Sequence, residues 1–305
     1  MNKPKIAIVG PGVVGQATGK ALLKQGFNVS FIGVDRSNIE KLRRQHYSAY
    51  SPNDFQNGSY QFDATFLTVP TPTVGGKADF SAIQSAARDL GKHLASNDKY
   101  HLVVVKSTVL PGTTEHLIVP IIEQHSHKKA GADFGVCMNP EYLREKTAAE
   151  DALDPWVIVI GEYDRKSGNT LDNLYQNFDG PIYRTTIEEA EMQKYVHNLF
   201  NAVKITFFNE MRGIGEQIGV DSEKIFKLVS LSCEGIWNHR YGLKDKGAYS
   251  GSCLPKDTQA FLHWAQNQGW PADILETTAK VNDRITKRVA RRNGKHKENF
   301  ISLSP

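Results

Sequence analysis

Short apolar runs alternate with amphipathic stretches through the first 186 residues of the chain. Continuous apolar runs of this length, each ended by glycine, proline or polar residues, are typical of buried parallel strands. They are KIAIVG (5–10), NVSFIGVD (28–35), DATFLTVP (63–70), HLVVVKST (101–108) and DFGVCMNP (133–140), with WVIVIGE (156–162) and PIYRTT (181–186) as one or two more. Helical stretches lie between them at 13–26, 79–94 and 113–125. The alternation predicts an α/β fold whose N-terminal part is a Rossmann-type, doubly wound parallel sheet.

The pattern changes at Ile187, where one long helical periodicity begins. Apolar residues recur at helical spacing from Ile187 to Gly219 without a proline, and further helices are predicted at 221–233, 255–268 and 272–290. We therefore expect a Rossmann-like domain at 1–186, a long helix and all-helical domain at 187–290, and a flexible basic tail at 291–305. The helix over 187–219 has more apolar positions than one small domain can cover, which predicts a homodimer through it.

Composition narrows the classes of function. The 305 residues are 40% hydrophobic and 23% charged, with a net charge of +4, which is ordinary for a globular protein and too weak to indicate nucleic acid. The basic stretch KRVARRNGKHKEN favours a solvated tail over a nucleic-acid-binding arm. No apolar run reaches membrane-spanning length, and MNKPKIAIVG is typical of a strand rather than a signal peptide.

Cysteine and histidine usage points to the cytoplasm and to no metal site. The three cysteines form no CxxC pair, so we expect free thiols, with Cys137 and Cys233 in the core. The ten histidines lack metal-ligand spacing, and His197 is interpreted as structural.

A glycine-rich turn predicts a dinucleotide site. Gly10, Gly12 and Gly15 form a GxGxxG that follows a predicted strand and opens a predicted helix, and Asp35 ends the next strand. In this context the backbone approaches a pyrophosphate at the helix N-terminus, while the acid binds the adenosine ribose and repels a 2′-phosphate. NAD is therefore favoured over NADP, although Arg36 beside the acid would suit NADP.

Polar motifs follow three further predicted strands, at the edge where such sheets bind ligands. They are TVPTPT (68–73), KSTVLPGTTE (106–115) and NPEYLRE (139–145). On the long helix, Lys194 and Asn198 lie one turn apart on one face, consistent with a functional pair or with a solvated stripe.

Seven motifs in this order resemble the UDP-glucose/GDP-mannose dehydrogenase family of nucleotide-sugar 6-dehydrogenases. They are the GxGxxG turn, VPTPT, STVLPGTT, NPEYLRE, AEMQKYVHN, FFNE and GSCLPKD. The resemblance runs to about Arg284, nearly the whole chain, and several motifs in family order are more specific than any one. It implies an NAD-dependent dehydrogenase that oxidises the 6-hydroxyl of a nucleotide sugar to the uronate, using two NAD per turnover.

The resemblance also assigns roles to residues. On its own, Cys253 is as consistent with a buried filler or a disulfide partner as with a nucleophile; the resemblance makes it the nucleophile that forms a thiohemiacetal and then a thioester. Lys194 would stabilise an oxyanion. Asn198 and Asp257 would position a water or the sugar hydroxyl. Thr108 and Glu141 would orient and activate the hydrolytic water, with Glu141 as general base. Further expected cofactor-binding residues are Gly10, Gly12, Val13, Val14, Gly15, Asp35, Arg36, Val69, Pro70, Thr71, Ser107 and Thr108, and expected substrate-binding residues are Tyr142, Leu143, Arg144, Glu145, Arg240, Tyr249, Ser250 and Gly251.

Four features depart from the family pattern. The chain ends soon after VNDRITKRVARR, where family members carry a third domain that grips the nucleotide, so we expect a short member without it. WNHRYG replaces an RIG-like turn, which makes Arg240 a substitute for the missing arginine. Ser250 replaces a glycine before the cysteine, and Lys146 replaces the glycine of LREG. These changes bear on substrate recognition more than on the reaction.

Two other functions stay open from the sequence. One is a dehydrogenase of a smaller sugar phosphate or nucleoside-type alcohol on the same scaffold; the other is a non-catalytic NAD-binding protein. The number of NADH formed per substrate, two, one or none, separates the three.

Overall fold

A computed structural model describes residues 3–57, 61–243, 247–251 and 253–301, except for the side chains of 55–57, 145 and 291–301. The strands are β1 (Lys5–Val9), β2 (Asn28–Ile32), β3 (Ser48–Tyr50), β4 (Ala64–Leu67), β5 (Thr73–Val74), β6 (Lys77–Ala78), β7 (His101–Val105), β8 (Phe134–Met138), β9 (Ile158–Glu162) and β10 (Ile182–Thr186). The helices are α1 (Val13–Lys24), α2 (Arg36–Arg44), α3 (Pro52–Asn57), α4 (Ser81–Ala95), α5 (Val119–Ser126), α6 (Ala148–Leu153), α7 (Arg165–Tyr175), α8 (Ile187–Gln217), α9 (Ser222–Ser232), α10 (Glu234–Trp237), α11 (Leu254–Asn267) and α12 (Asp273–Ile301). A π-helical turn, Thr114–Ile118, precedes α5, and a 3₁₀ turn, Glu145–Thr147, precedes α6.

Eight strands form one sheet in the order β3-β2-β1-β4-β7-β8-β9-β10, and β5 and β6 form a separate antiparallel pair. Neighbouring strands of the large sheet are parallel except β8 and β9, which pair antiparallel. The predicted Rossmann-type sheet followed by helices is confirmed, with one antiparallel pair added. The strand order reverses between β1 and β4, and the crevice outside the carboxyl ends at such a point is where these sheets bind ligands.

Helices cover both faces of the sheet, which is why its central strands are continuously apolar. On one face α1 packs against β1 and β2, α2 against β3, and α7 against β7, β8 and β9, with Leu22, Leu42 and Leu171 nearly or fully buried. On the other face α4 and α5 pack with the first turn of α8, where Ile83, Ile122 and Ala190 are fully buried. The central strands are therefore covered on both faces, and ligands are expected at the strand ends.

The chain divides into two compact units, residues 1–198 and 199–305, with the boundary inside α8. The second unit is helical in its described part and has a small core around Ile214, Leu262 and Ala265. The backbone of 291–301 continues α12, and 302–305 of the predicted tail lie outside the described residues. No helix in the described part of the chain is both long enough and apolar enough to span a bilayer.

The cysteines differ in environment. Cys137 is fully buried in β8, as predicted, and burial raises the pKa of its thiol. The core position predicted for Cys233 is wrong: this residue is exposed at the C-cap of α9, one residue beyond the helical periodicity that suggested a core position.

Candidate active site

The turn between β1 and α1 has the backbone geometry of a pyrophosphate cradle. Gly10 has a φ of +96°, and a Cβ there would lie 2.7 Å from the Val69 nitrogen. A Cβ on Gly15 would lie 2.4 Å from the Gly10 carbonyl oxygen, so this glycine allows close packing. At Gly12, the N-cap of α1, a Cβ would meet nothing within 4 Å. The open space therefore lies at the positive end of α1, where a diphosphate binds.

A cavity of about 660 Å³ lies at the carboxyl ends of the central strands, within the usual size range of cofactor sites. Ten of the expected cofactor-binding residues line it: Gly10, Gly12, Val13, Val14, Asp35, Val69, Pro70, Thr71, Ser107 and Thr108. Gly15 is buried beneath the turn, and Arg36 is exposed in the first turn of α2, outside the cavity lining. The space and the glycine cradle fit NAD.

Asp35 is both the N-cap of α2 and part of the cavity lining. Its Oδ1 accepts hydrogen bonds from the Ser37 nitrogen at 2.9 Å and the Ser37 hydroxyl at 2.8 Å. The hydroxyl bond and the Asn38 backbone bond hold the pKa of this carboxyl below its usual value. The cavity therefore carries a fixed negative charge at the end of β2, where the adenosine ribose of a dinucleotide lies in this fold.

Two hydrogen bonds join the loops that follow β4 and β7. The Thr71 hydroxyl donates to the Thr108 carbonyl at 2.7 Å, and the Ser107 hydroxyl donates to the Val69 carbonyl at 2.6 Å. These bonds fix the cavity wall that carries the predicted VPTPT and KST motifs.

The buried Lys194 and the partly buried Glu141 form an ion pair beside this cavity. The Lys194 ammonium lies 2.9 Å from Glu141 Oε1 and also donates to the Glu141 carbonyl. Glu141 Oε2 accepts the Leu143 backbone N–H at 2.7 Å, and Glu141 lines the cavity. Asn198 is exposed one turn further along α8. The structure thus brings together two of the expected catalytic groups, a cation and a carboxylate.

The loop after β8 is anchored through Asp151. Its carboxylate accepts from the Arg144 nitrogen at 2.8 Å, from the Arg144 guanidinium at 2.6 and 3.1 Å, and from the Thr147 hydroxyl at 3.0 Å. The Arg144 guanidinium holds the pKa of Asp151 well below its usual range. The same guanidinium lies 4.8 Å from the centre of the Trp156 ring. The Arg144 side chain expected to bind substrate therefore anchors its own loop.

The other expected substrate residues of this loop lie close to α8. The Tyr142 hydroxyl donates to Gln193 Oε1, and the Tyr142 ring lies 5.0 Å from that of His197. Tyr142 and Leu143 line a smaller cavity of about 50 Å³. The side chain of Glu145 lies outside the described residues.

The sequence analysis missed three buried polar groups, Lys106, Asn139 and Glu191. The Lys106 ammonium donates to Asn139 Oδ1 at 2.7 Å. The Glu191 carboxylate accepts from the nitrogens of Gly112 at 2.6 Å and Thr114 at 2.8 Å, and burial raises its pKa. A lysine directly after an all-apolar strand at the ligand edge was an available signal; nothing in the sequence pairs Glu191 with its partners.

In the second unit, Cys253 is the N-cap of α11 and is exposed. Its carbonyl accepts the Asp257 nitrogen at 2.9 Å, which closes the first helical turn. Asp257 is exposed and lies 3.3 Å from the Lys256 ammonium. Gly251, with a φ of +92°, precedes the cysteine by two residues.

A cavity of about 1330 Å³ lies within this second unit, between α8, α12 and the loops before α11. Arg240, Tyr249 and Ser250, all expected to bind substrate, are among its lining residues. The Asn282 side chain of α12 bonds both the nitrogen and the carbonyl of Tyr249, at 2.8 and 3.0 Å. This pair of hydrogen bonds holds Tyr249, in the middle of the loop 247–251.

Comparison with known proteins places the chain in a family. Sequence models of the UDP-glucose/GDP-mannose dehydrogenase family match twice, the NAD binding domain over residues 50–179 and the central domain over residues 188–284. GDP-mannose 6-dehydrogenase from Pseudomonas aeruginosa is 35% identical over 297 residues, which are 91% of this chain and 68% of that protein. UDP-glucose 6-dehydrogenase from Haloferax volcanii is 34% identical over 92% of this chain and 69% of its own length.

Solved structures agree. A ternary complex of GDP-mannose dehydrogenase from Pseudomonas aeruginosa matches with a TM-score of 0.87 and 34% identity, over 94% of this chain and 69% of that one. A UDP-glucose dehydrogenase from Pyrobaculum islandicum matches with a TM-score of 0.69 and 33% identity, over 92% and 68% of the two chains. The chain therefore belongs to the UDP-glucose/GDP-mannose dehydrogenase family and is an NAD-dependent oxidoreductase.

Proposed function

We propose that this protein oxidises the 6-hydroxyl of a nucleotide sugar of the UDP-glucose or GDP-mannose type to the carboxylate, in two successive NAD-dependent steps. The observation that carries the proposal is the ion pair of the buried Lys194 with Glu141, beside a cavity that fits NAD. A buried lysine is costly to the fold, so the position of Lys194 at the ligand edge favours a chemical role. The similarity to nucleotide-sugar 6-dehydrogenases supplies the substrate class.

The first oxidation requires a cation at the reacting oxygen. NAD, when bound, accepts one hydride in each oxidation. Lys194 would stabilise the negative charge that develops on the substrate oxygen as its proton leaves, with Asn198 and Asp257 positioning the hydroxyl or a water. The product of this step is an aldehyde.

The second oxidation requires a nucleophile, and Cys253 would supply it. Its thiolate adds to the aldehyde carbon, and the thiohemiacetal then loses a hydride and a proton to become a thioester. Cys253 stands at the start of the 14-residue helix α11 and is exposed. An aldehyde held covalently does not escape between the two oxidations.

Hydrolysis completes the reaction. Glu141 would take a proton from a water that Thr108 orients; the water oxygen bonds to the acyl carbon, the carbon–sulfur bond breaks, and the thiolate of Cys253 leaves. Per substrate, one water is consumed, two NADH form and three protons are released with the carboxylate.

The same proposal includes a homodimer through α8. Along this helix Met192, Val196, Leu199 and Val203 form a stripe at spacings of four, three and four residues, and each is more than half exposed in the single chain. A continuous apolar stripe of this kind is typical of a helix–helix contact between subunits.

Stoichiometry tests the function. The protein is incubated with NAD and each of a panel of nucleotide sugars and sugar phosphates, including UDP-glucose and GDP-mannose, and NADH is counted against substrate consumed. We expect two NADH per molecule of a nucleotide sugar. One NADH per substrate would contradict the four-electron reaction, and no NADH with any of them would contradict a catalytic role.

A further inference from the structure

Lys106 is a buried cation to which the proposed chemistry gives no role. It directly follows β7 and is 8% exposed. Burial lowers the pKa of its ammonium to about 8. Among the described side chains, no carboxylate oxygen lies within 4 Å of this ammonium, and the charge of Glu141, which favours the protonated lysine, acts on it from a greater distance. A buried charge of this kind is costly and calls for a specific contact.

That contact is Asn139, the first residue after β8. The Lys106 ammonium donates to Asn139 Oδ1 at 2.7 Å and reaches the Asn139 carbonyl at 3.4 Å. Oδ1 also accepts the Tyr175 hydroxyl at 2.7 Å, while Nδ2 donates to the Val159 carbonyl at 2.8 Å. The asparagine is therefore held from three sides, and Lys106 is the side chain that connects it to the end of β7.

The two loops joined in this way carry the two groups proposed to act on water. Thr108 lies two residues after Lys106, and Glu141 lies two residues after Asn139. Lys106 and Glu141 line both the 660 Å³ cavity and the smaller 50 Å³ cavity. A change in the Lys106–Asn139 link would shift Thr108 relative to Glu141.

We propose that Lys106 is a positioning residue for thioester hydrolysis, because it fixes the loop that carries Thr108 relative to the loop that carries Glu141. This inference rests on the proposed function. Both hydride transfers precede the attack of water, and in the proposed reaction only hydrolysis uses Thr108 and Glu141 together. Hydrolysis depends on their relative position, because a displaced water or base lowers the rate of attack steeply.

The test separates acyl-enzyme formation from its hydrolysis. Lys106→Met and Lys106→Gln are mixed rapidly with NAD and a nucleotide sugar that the wild type oxidises. NADH is followed in time, and the mass of the intact chain is measured during turnover. Tyr175→Phe is the matched control, because it removes the other donor to the same Asn139 oxygen and leaves the β7 loop linked.

We expect the Lys106 variants to form two NADH per site in a burst, and then to turn over at least tenfold more slowly with the acyl adduct on most chains. Tyr175→Phe should form and hydrolyse the acyl adduct at the wild-type rates. The inference is overturned if the Lys106 variants hydrolyse at the wild-type rate, if they slow without accumulating adduct, or if Tyr175→Phe accumulates as much. A wild type whose adduct-bearing residue is not Cys253 contradicts the proposed function itself, and the inference falls with it.

Discussion

Asp35 contributes both to the expected cofactor preference and to the stability of α2. Its carboxylate caps α2 through Ser37 and Asn38 and also lines the dinucleotide cavity, so one side chain serves both the helix and the ligand. A substitution that tests the charge must therefore preserve the cap. Asparagine does so, because it is as good an N-cap as aspartate.

Asp35→Asn should narrow the preference for NAD over NADP without loss of stability. The wild type should favour NAD because the charge repels a 2′-phosphate, and removal of the charge lowers that penalty. Binding of both cofactors is measured by titration, with Asp164→Asn, the same change at the N-cap of α7, as control. Wild-type binding that favours NADP tenfold, about 1.4 kcal/mol, would contradict the assignment.

His101 is a second residue with a measurable consequence. It is fully buried, its Nδ1–H donates to the Phe62 carbonyl at 2.8 Å, and its Nε2 accepts from the Thr65 hydroxyl at 2.9 Å. Burial lowers its pKa to about 4 from an ordinary value of 6.5. Below pH 6.5 the unfolded chain therefore binds a proton at His101, whereas the folded chain binds this proton only at about pH 4 and below.

Because of His101, the free energy of unfolding should fall by about 3 kcal/mol as the pH drops from 6.5 to 4. Above pH 6.5, His101 should make no contribution to the pH dependence of stability. His101→Gln, which offers one donor and one acceptor, should lose that part of the acid dependence. Denaturant unfolding at several pH values checks this. Equal acid dependence in both proteins would show that His101 is not held neutral.

For individual residues, the sequence predicts which residues line the site better than it predicts which residues they contact. The glycine turn, Asp35 and the residues after β4 and β7 were located because spacing relative to a strand end decides them. The Lys194–Glu141 bond joins residues 53 apart in the chain, and sequence spacing does not specify such a contact. The Lys106–Asn139 bond is non-local in the same way, since the two residues follow neighbouring strands.

At the scale of elements, α8 holds the ligand edge of the sheet together. Glu191 and Lys194 lie one turn apart on this helix, and each binds a different loop. Glu191 binds the turn after β7, and Lys194 binds the loop after β8. The start of α8 therefore fixes both loops against the sheet.

Glu191→Ala should lower the free energy of unfolding by about 2 to 4 kcal/mol, because it leaves two buried backbone N–H groups without an acceptor. Glu188→Ala, in the first turn of the same helix and exposed, is the matched control and should have little effect. Thermal or denaturant unfolding measures both. Similar stability of the two variants would show that the turn after β7 does not depend on α8.

The sequence predicted the helices and strands that have a clear apolar pattern, and it did not predict helices made mostly of polar residues. Helix α2, RSNIEKLRR, has nine residues and buries only Ile39 and Leu42, so it offers too few apolar positions to be identified from sequence. The direction of β9 was also missed, because a buried strand has the same continuous apolar run whether it is parallel or antiparallel. Pairing with β8 decides the direction, and pairing is a tertiary property.

For the whole molecule, the apolar stripe on α8 predicts a homodimer. Leu199→Glu combined with Val203→Glu should convert a dimer into a monomer at micromolar concentration, because two charges would be buried in the contact. Ile205→Glu, also exposed but on the opposite side of the helix, should leave the dimer intact. Sedimentation measures all three. A monomeric wild type would rule out the dimer.

The central claim is that one chain performs two oxidations, the second of them through a thiol, and Cys253→Ser tests it most directly. The variant is incubated with NAD and a nucleotide sugar that the wild type oxidises. Aldehyde is captured with hydrazine, and chain mass and NADH per site are measured. Cys233→Ser, the other exposed cysteine, is the control. We expect Cys253→Ser to bind NAD normally and to stop after one oxidation or as an ester adduct, with uronate formation about a thousandfold slower, a barrier increase of ~4 kcal/mol. Uronate formed by Cys253→Ser at a rate near that of the wild type would contradict the account.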